Sequence, residues 1–190
     1  MADSMQEAKK TLRQQIRERI AAIPDRNAAS DLARNQLLQK AVWRQAHSIL
    51  LFAPLPDEVD VWPLVPDVFR QGKSLALPRF IAAKKHYAAC QIKDLVTDVK
   101  IGQFGIREAA DHCAVLAISR LDLILVPGIA FDLHGRRLGR GKGFYDQLLA
   151  EASGTTCGVA FDEQIVKEIP VEPHDIFLDC ILTPTRWIEP

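Results

Sequence analysis

The chain reads as an α/β protein, a single three-layer α/β/α domain over residues 1–190 with a mainly parallel sheet. Two observations predict this. From residue 28 onward, short apolar runs of strand length alternate with stretches of helical character, an order that builds a parallel sheet covered on both faces. A length of 190 residues suits one domain with a continuous core, and 48% hydrophobic with 25% charged residues is an ordinary globular composition.

Met5, Ala8, Leu12, Ile16 and Ile20 recur at spacings of three and four and predict a helix over residues 5–22. Ser4 is its expected N-cap, Glu7 completes a capping box, and Pro24 stops it. Lys9, Lys10, Arg13 and Arg17 fall on other faces, where charges ordinarily meet water. A second helix is expected from Asn27 or Ser30 to about Trp43, with Leu32, Leu37, Leu38 and Val42 inward. Ser48 to Ala53 reads as a strand closed by Pro54-Leu55-Pro56, with Asp57, Glu58 and Asp60 just beyond. Val61 to Gly72 suggests a helix opening at Trp62-Pro63 and restarted or distorted at Pro66. Ser74–Leu77 and His86–Ile92 read as strands, flanked by Pro78 and the Lys84-Lys85 turn, and Thr97 to Ser119 as irregular. Leu121–Val126, Thr156–Phe161 and Cys180–Leu182 are the remaining strands.

The stretch that speaks of chemistry begins where Pro127-Gly128 ends the strand Leu121–Val126. A loop follows in which Gly135, Gly139, Gly141 and Gly143 alternate with Arg136, Arg137, Arg140 and Lys142, and Phe144 to Glu151 reads as the first turns of a helix. Glycines let the backbone approach a ligand closely and take positive φ. Free N–H groups at a helix start favour an anion, and the Arg and Lys side chains add full charges. A phosphate group suits this combination best. Neither familiar phosphate motif fits: the position five before Gly141 is Arg136 and Lys142 is followed by Gly143, while Gly139-x-Gly141-x-Gly143 leads to Tyr145-Asp146 without a further glycine.

Lys+Arg and Asp+Glu are equal at 24 each, and no aromatic–basic platform is present, so no nucleic-acid partner is expected. The opening Met-Ala-Asp-Ser-Met-Gln-Glu lacks an apolar signal core and no later run reaches membrane length, so a cytoplasmic protein without membrane contact is expected. Cys90, Cys113, Cys157 and Cys180 are scattered, which argues for buried free thiols over zinc or disulfides.

From Pro127 to Asp146 the string resembles the signature of the 5-formyltetrahydrofolate cyclo-ligase family, also called 5,10-methenyltetrahydrofolate synthetases. That signature is Pro-Gly-x-x-Phe-Asp-x-x-Gly-x-Arg-Leu-Gly-Arg-Gly-Lys-Gly-Tyr-Tyr-Asp, and Phe144 replaces its first Tyr. The resemblance continues in Lys-Lys-x-Leu-Arg at Lys9–Arg13, in the Asp57-Glu58 loop and in Pro-Val-Glu-x-His-Asp ending at Asp175. A Phe-Gly-Ile-x-Glu segment at Phe104–Glu108 is similar too, with Ala109 where the family has Pro.

What the resemblance implies is specific. ATP is expected on Lys9 and Arg13, one helical turn apart, and on Arg137, Leu138, Gly139, Arg140, Gly141, Lys142, Gly143, Phe144 and Tyr145. Arg140 and Lys142 are the expected catalytic residues. Ala53, Glu58 and Phe104 are implied folate contacts, and a carboxylate at Glu58 suits the adjacent ring N–H and amino donors of a pterin edge. Asp146 and Asp175 are implied Mg²⁺ ligands, whereas His174 reads as a loop hydrogen-bonder. Phe144 lacks the hydroxyl of the family's Tyr, and activity is expected to survive on the ring alone. The implied reaction is ATP-dependent cyclisation of 5-formyltetrahydrofolate, with or without a polyglutamate tail, to 5,10-methenyltetrahydrofolate through an N5-iminium phosphate, by a monomer. The alternatives are a catalytically silent nucleotide- or folate-binding relative with a regulatory role, or a nucleic-acid binder using the basic loop.

Overall fold

The computed structural model describes residues 2–102, 105–170 and 176–190, with side chains from Met5 onward. Phe104, His174 and Asp175 therefore lie outside the described residues. The helices are α1 (Ala2–Ala21), α2 (Arg26–Leu38), α3 (Ala41–Gln45), α4 (Val65–Arg70) and α5 (Phe144–Leu149). The first strands are β1 (Ser48–Leu50), β2 (Ser74–Ile81), β3 (His86–Ile92), β4 (Val99–Ile101), β5 (Arg107–Ala109) and β6 (Val115–Leu116). There follow β7 (Leu123–Val126), β8 (Ala130–Asp132), β9 (Arg137–Leu138), β10 (Thr155–Val159), β11 (Ile165–Val166), β12 (Cys180–Leu182) and β13 (Trp187–Ile188).

Eight strands form the central sheet in the order β13-β12-β10-β7-β1-β2-β3-β6. The pairs from β12 to β2 are parallel, and antiparallel partners close both edges. Successive strand residues point to opposite faces, and both faces here are apolar. Ile49, Leu75 and Leu123 pack with Ile16, Leu37, Trp43 and Val68 of α1 to α4. Leu50, Ala76 and Ile124 pack with Leu148 and Leu149 of α5 on the other side. This is the expected three-layer arrangement. The chain winds from β1 outward to β2, then returns to β7 on the other side of β1. That reversal opens a crevice beyond the strand C-terminal ends, where α/β sheets take their ligands.

Several boundaries differ from the sequence expectation. Helix α1 begins at Ala2, so Ser4 lies inside it rather than capping it. Ala8 is exposed and Lys9 is buried in its place. Asp25, not Asn27 or Ser30, caps α2, its Oδ1 accepting from the Ala28 N–H at 2.9 Å. Leu32 is exposed, Ser30, Ala33 and Leu37 face inward, and the chain breaks at Gln39-Lys40 into a separate α3. Only Ser48–Leu50 of the first strand belongs to the ladder. Trp62–Leu64 is a 3₁₀ turn, and Pro66 sits in the first turn of α4, where its missing N–H costs nothing, so it opens the helix instead of distorting it.

Strand β2 continues through Pro78 to Ile81. Its pairing with β1 ends at Ala76, so Pro78 stands on a free edge, the place where a strand tolerates proline. The segment expected to be irregular holds the β4–β5 hairpin and β6. Arg79, buried in β2, donates from Nη1 to the carbonyls of Ala110, Asp111 and Cys113 and so clasps that segment to the sheet. All four cysteines are free and buried, as expected. Among the described residues no helix is long and apolar enough to cross a membrane.

Asp98 closes the turn before the β4–β5 hairpin. Its carboxylate meets His112 Nε2 at 2.9 Å, the Lys93 and Asp94 N–H groups at 2.8 and 3.1 Å, and Thr97 Oγ1 at 2.9 Å. These partners, His112 foremost, hold its pKa far below the usual carboxylate range. The folded-state pKa is depressed, so the stabilisation is present above the unfolded value of about 4 and is lost as pH falls below it. The stability gap between wild type and Asp98→Asn in urea denaturation is therefore expected to be full at pH 7 and to shrink at pH 3. An equal gap at both pH values would contradict this.

Candidate functional site

The crevice at the sheet's turning point is a cleft of about 680 Å³. Its walls come from the ends of three strands. Phe52, Ala53 and Glu58 follow β1, Pro127 and Gly128 follow β7, and Pro78 belongs to the outer part of β2. Helix α1 contributes Lys9 and Arg13, and residues Arg137 to Asp146 supply the remaining wall.

The glycine stretch divides in two. Its first part is a hairpin, with β8 and β9 antiparallel and Gly135 at φ +76° in the connecting turn. Gly135 and Arg136 are not cleft residues: a Cβ at Gly135 would lie 2.5 Å from the Leu178 carbonyl, and Arg136 pairs with Glu168 at 3.2 Å. The second part, Gly139 to Gly143, faces the cleft, with Gly141 and Gly143 at φ +94° and +66°. Both angles belong to glycine. Helix α5, opened by Gly143, has only six residues, so its dipole is weak and the positive charge comes mainly from side chains.

Three contacts hold this loop. Buried Gln164 donates from Nε2 to the Gly128 and Ile129 carbonyls at 2.8 and 3.0 Å, fixing the loop's entry. Arg13 Nε donates to the Gly139 carbonyl at 2.9 Å, tying α1 to it. Arg140 reaches across the cleft, with Nη2 2.7 Å from Asp57 Oδ1 and 3.0 Å from Glu58 Oε1. The other Glu58 oxygen accepts from the Leu55 N–H at 2.9 Å.

Burial pushes the Glu58 carboxyl above its ordinary value, against the pull of the Leu55 N–H and the Arg140 guanidinium. Arg140 is held above its ordinary value by Asp57 and Glu58, which outweigh its own burial. The two partners thus point in opposite directions. Arg140 stays charged near neutral pH, so the state of the pair is decided at Glu58.

Arg137 is nearly sealed. Its Nη2 lies 2.5 Å from Asp146 Oδ1, its guanidinium lies over the Tyr145 ring at 5.8 Å, and its Nε is buried without a partner among the described residues. Asp146 keeps its second oxygen without a partner among the described residues. Lys142 is exposed and makes no ion pair among the described residues. Lys9 is only 6% exposed, a buried cation at the cleft wall.

Of the residues expected from sequence, Lys9, Arg13, Ala53, Glu58, Asp146 and the whole run Arg137–Tyr145 line this one cleft. Residues that sequence reasoning missed line it as well: Gln6, Arg107, Glu108 and Tyr87. Glu108 was visible only as part of the Phe104–Glu108 string. Tyr87 carried no signal, because its place depends on the β2–β3 register.

A competing cluster exists. Asp98, His112 and Cys113 offer ligand atoms within 4.8 Å of one another, the one such His/Cys/Asp/Glu group found among the described residues. The Asp98 carboxylate already accepts four hydrogen bonds, so this is a clasp for a loop.

A cleft with fixed cations and glycine backbone on one wall and an apolar, carboxylate-tipped slot on the other can hold an anion beside a planar polar ring. Together with the sheet's turning point, it defines the class, an α/β protein with a ligand-binding cleft at the strand C-terminal ends. Comparison narrows this. The model of the 5-formyltetrahydrofolate cyclo-ligase family matches residues 5–184. A mouse 5-formyltetrahydrofolate cyclo-ligase is 32% identical over 200 aligned residues, covering 95% of this chain and 96% of its own. One from Escherichia coli K12 is 34% identical, covering 74% and 80%. The solved structure of 5,10-methenyltetrahydrofolate synthetase from Aquifex aeolicus superposes with a TM-score of 0.85 at 31% identity, over 95% of this chain and 92% of that one. The chain belongs to the 5-formyltetrahydrofolate cyclo-ligase family and, with it, to the ligases.

The Arg140 bridge makes a testable statement about Glu58. In Arg140→Gln the buried carboxylate loses its cation, and its pKa, followed by carbon-13 NMR, is expected to rise further. An unchanged titration would show that the guanidinium does not act on it.

Proposed function

We propose that the protein couples ATP hydrolysis to ring closure of 5-formyltetrahydrofolate, giving 5,10-methenyltetrahydrofolate, ADP and phosphate. Support comes from one observation above all. The basic glycine loop and the Glu58 slot, far apart in sequence, open into the same 680 Å³ cleft, so a phosphoryl group and a pterin can meet there.

A formamide oxygen is a poor leaving group, and phosphorylation makes it a good one. The formyl oxygen attacks the γ-phosphorus, the bond to ADP breaks, and an N5-iminium phosphate forms. N10 then adds to the activated carbon, releases its proton to solvent, and phosphate departs. Such chemistry asks for positioning and charge neutralisation more than for a covalent nucleophile. Lys142, exposed at the cleft and without an ion pair among the described residues, is available for the transferred phosphoryl group. Arg137, nearly buried and paired with Asp146, adds fixed positive charge beside it, and the Gly139–Gly143 backbone can come close to phosphate oxygens. Glu58 would accept from the pterin's N–H and amino donors, which requires Arg140 to leave it, at least in part, for the developing anion.

Asp146 fits a Mg²⁺ ligand, since its second carboxylate oxygen has no partner among the described residues and a hard cation at a phosphate site needs only one or two protein carboxylates. Mg²⁺ bound there supplies charge neutralisation on the phosphates. Asp175 remains its proposed companion.

Product is expected as methenyl absorbance only when ATP is present, and its absence would favour the silent binding relative. Lys142→Ala is expected to lower turnover by about a hundredfold, roughly 2.7 kcal/mol, the scale for removing one transition-state donor, with the circular-dichroism spectrum intact. Asp146→Ala is expected to shift the Mg²⁺ titration of activity to higher concentration. A titration that does not move would show that the metal lies elsewhere.

A further inference from the structure

Phe144 stands where the family signature carries a tyrosine, and the structure shows what surrounds its ring. Phe80 lies 5.1 Å away by ring centroid and Tyr87 lies 5.6 Å away at an interplanar angle of 84°. Tyr87 also meets Phe80 edge-on at 5.7 Å and Tyr145 at 6.0 Å. Edge-to-face packing of this kind fixes ring orientation. The antiparallel register of β2 and β3, with Phe80 opposite Tyr87, fixes the backbone beneath it.

Tyr87 is one of only two tyrosines in the chain. Its side chain lines the cleft that Glu58, Phe144 and Glu108 also line. Its phenol makes no hydrogen bond among the described residues, and its oxygen is not among the buried polar atoms, so it is open to a ligand in the cleft. Burial first, then the nearby Glu108 and Glu58 charges, hold the phenol above its ordinary pKa, so it remains an O–H donor throughout the neutral range.

We infer that Tyr87 is a substrate contact that presents, from β3, a hydroxyl beside the Phe144 ring, donating a hydrogen bond to a carbonyl-type oxygen of the folate held by Glu58. This rests on the proposed function for the identity of the ligand. The geometry supports it: the rings of 144 and 87 meet edge to face with centroids 5.6 Å apart and both line the cleft, so hydroxyls on the two rings can serve one region of it.

Tyr87→Phe keeps the ring and removes the donor. Calorimetric titration with 5-formyltetrahydrofolate, without nucleotide, is expected to show about tenfold weaker binding, the loss of one hydrogen bond. Affinity for ATP alone and the melting temperature are expected to stay as in wild type. In Tyr87→Phe/Phe144→Tyr the hydroxyl returns on the adjacent ring, and most of the folate affinity is expected to return with it. Wild-type folate affinity in Tyr87→Phe would overturn the inference, as would an equal loss for ATP, which would mark Tyr87 as a packing residue. Failure of the double substitution to recover affinity would overturn the claim that the two rings serve one region. If wild-type protein binds no 5-formyltetrahydrofolate, the proposed function itself falls.

Discussion

The glycine loop faces the cleft in a fixed position because it is pinned, and Arg140 is the pin that crosses the cleft. Its guanidinium joins the loop to Asp57 and Glu58, the residues that follow β1. An exposed pair of this kind would contribute little. Here the Glu58 side chain is only 7% exposed, so the carboxylate cannot be left alone without a desolvation penalty. The same contact that holds the two walls together therefore occupies the groups that a pterin and a phosphate would need. A ligand taking either group would have to replace this pairing with others of equal quality, which would make the two halves of the cleft interdependent.

The rest of the architecture serves that cleft. The sheet reverses its winding between β1 and β7, so the loops after those strands face each other without further design. Gln164 and Arg13 then fix the loop's entry and its middle through backbone carbonyls, leaving the basic side chains of Arg137 and Lys142 for other partners. Helix α1 lies across the cleft and buries Lys9 there, where a cation makes sense only beside an anion or polar backbone.

The alternation of strands and helices revealed the fold because burial on both sheet faces leaves continuous apolar runs, as in Leu123–Val126, which no other architecture explains as simply. Periodicity failed where two faces of a helix compete. Spacing alone made Ala8 the inward residue of α1, and only contact with the cleft shows that Lys9 takes that place. Strands of two or three residues, such as β4, β5 and β6, are too short for alternation to register.

Chemistry was legible where it is local. Glycines interleaved with arginines and lysine, and a signature running from Pro127 to Asp146, are properties of consecutive residues, so the sequence alone determined the phosphate-friendly loop and the family resemblance. Only the tertiary structure decided that Arg140 spans to Asp57 and Glu58, that Arg136 turns away to Glu168, and that Tyr87 stands beside Phe144. Those are distances between residues remote along the chain, set by strand register and by the packing of loops at the sheet's edge. A one-dimensional pattern does not encode them until the hydrophobic core has folded and brought them together.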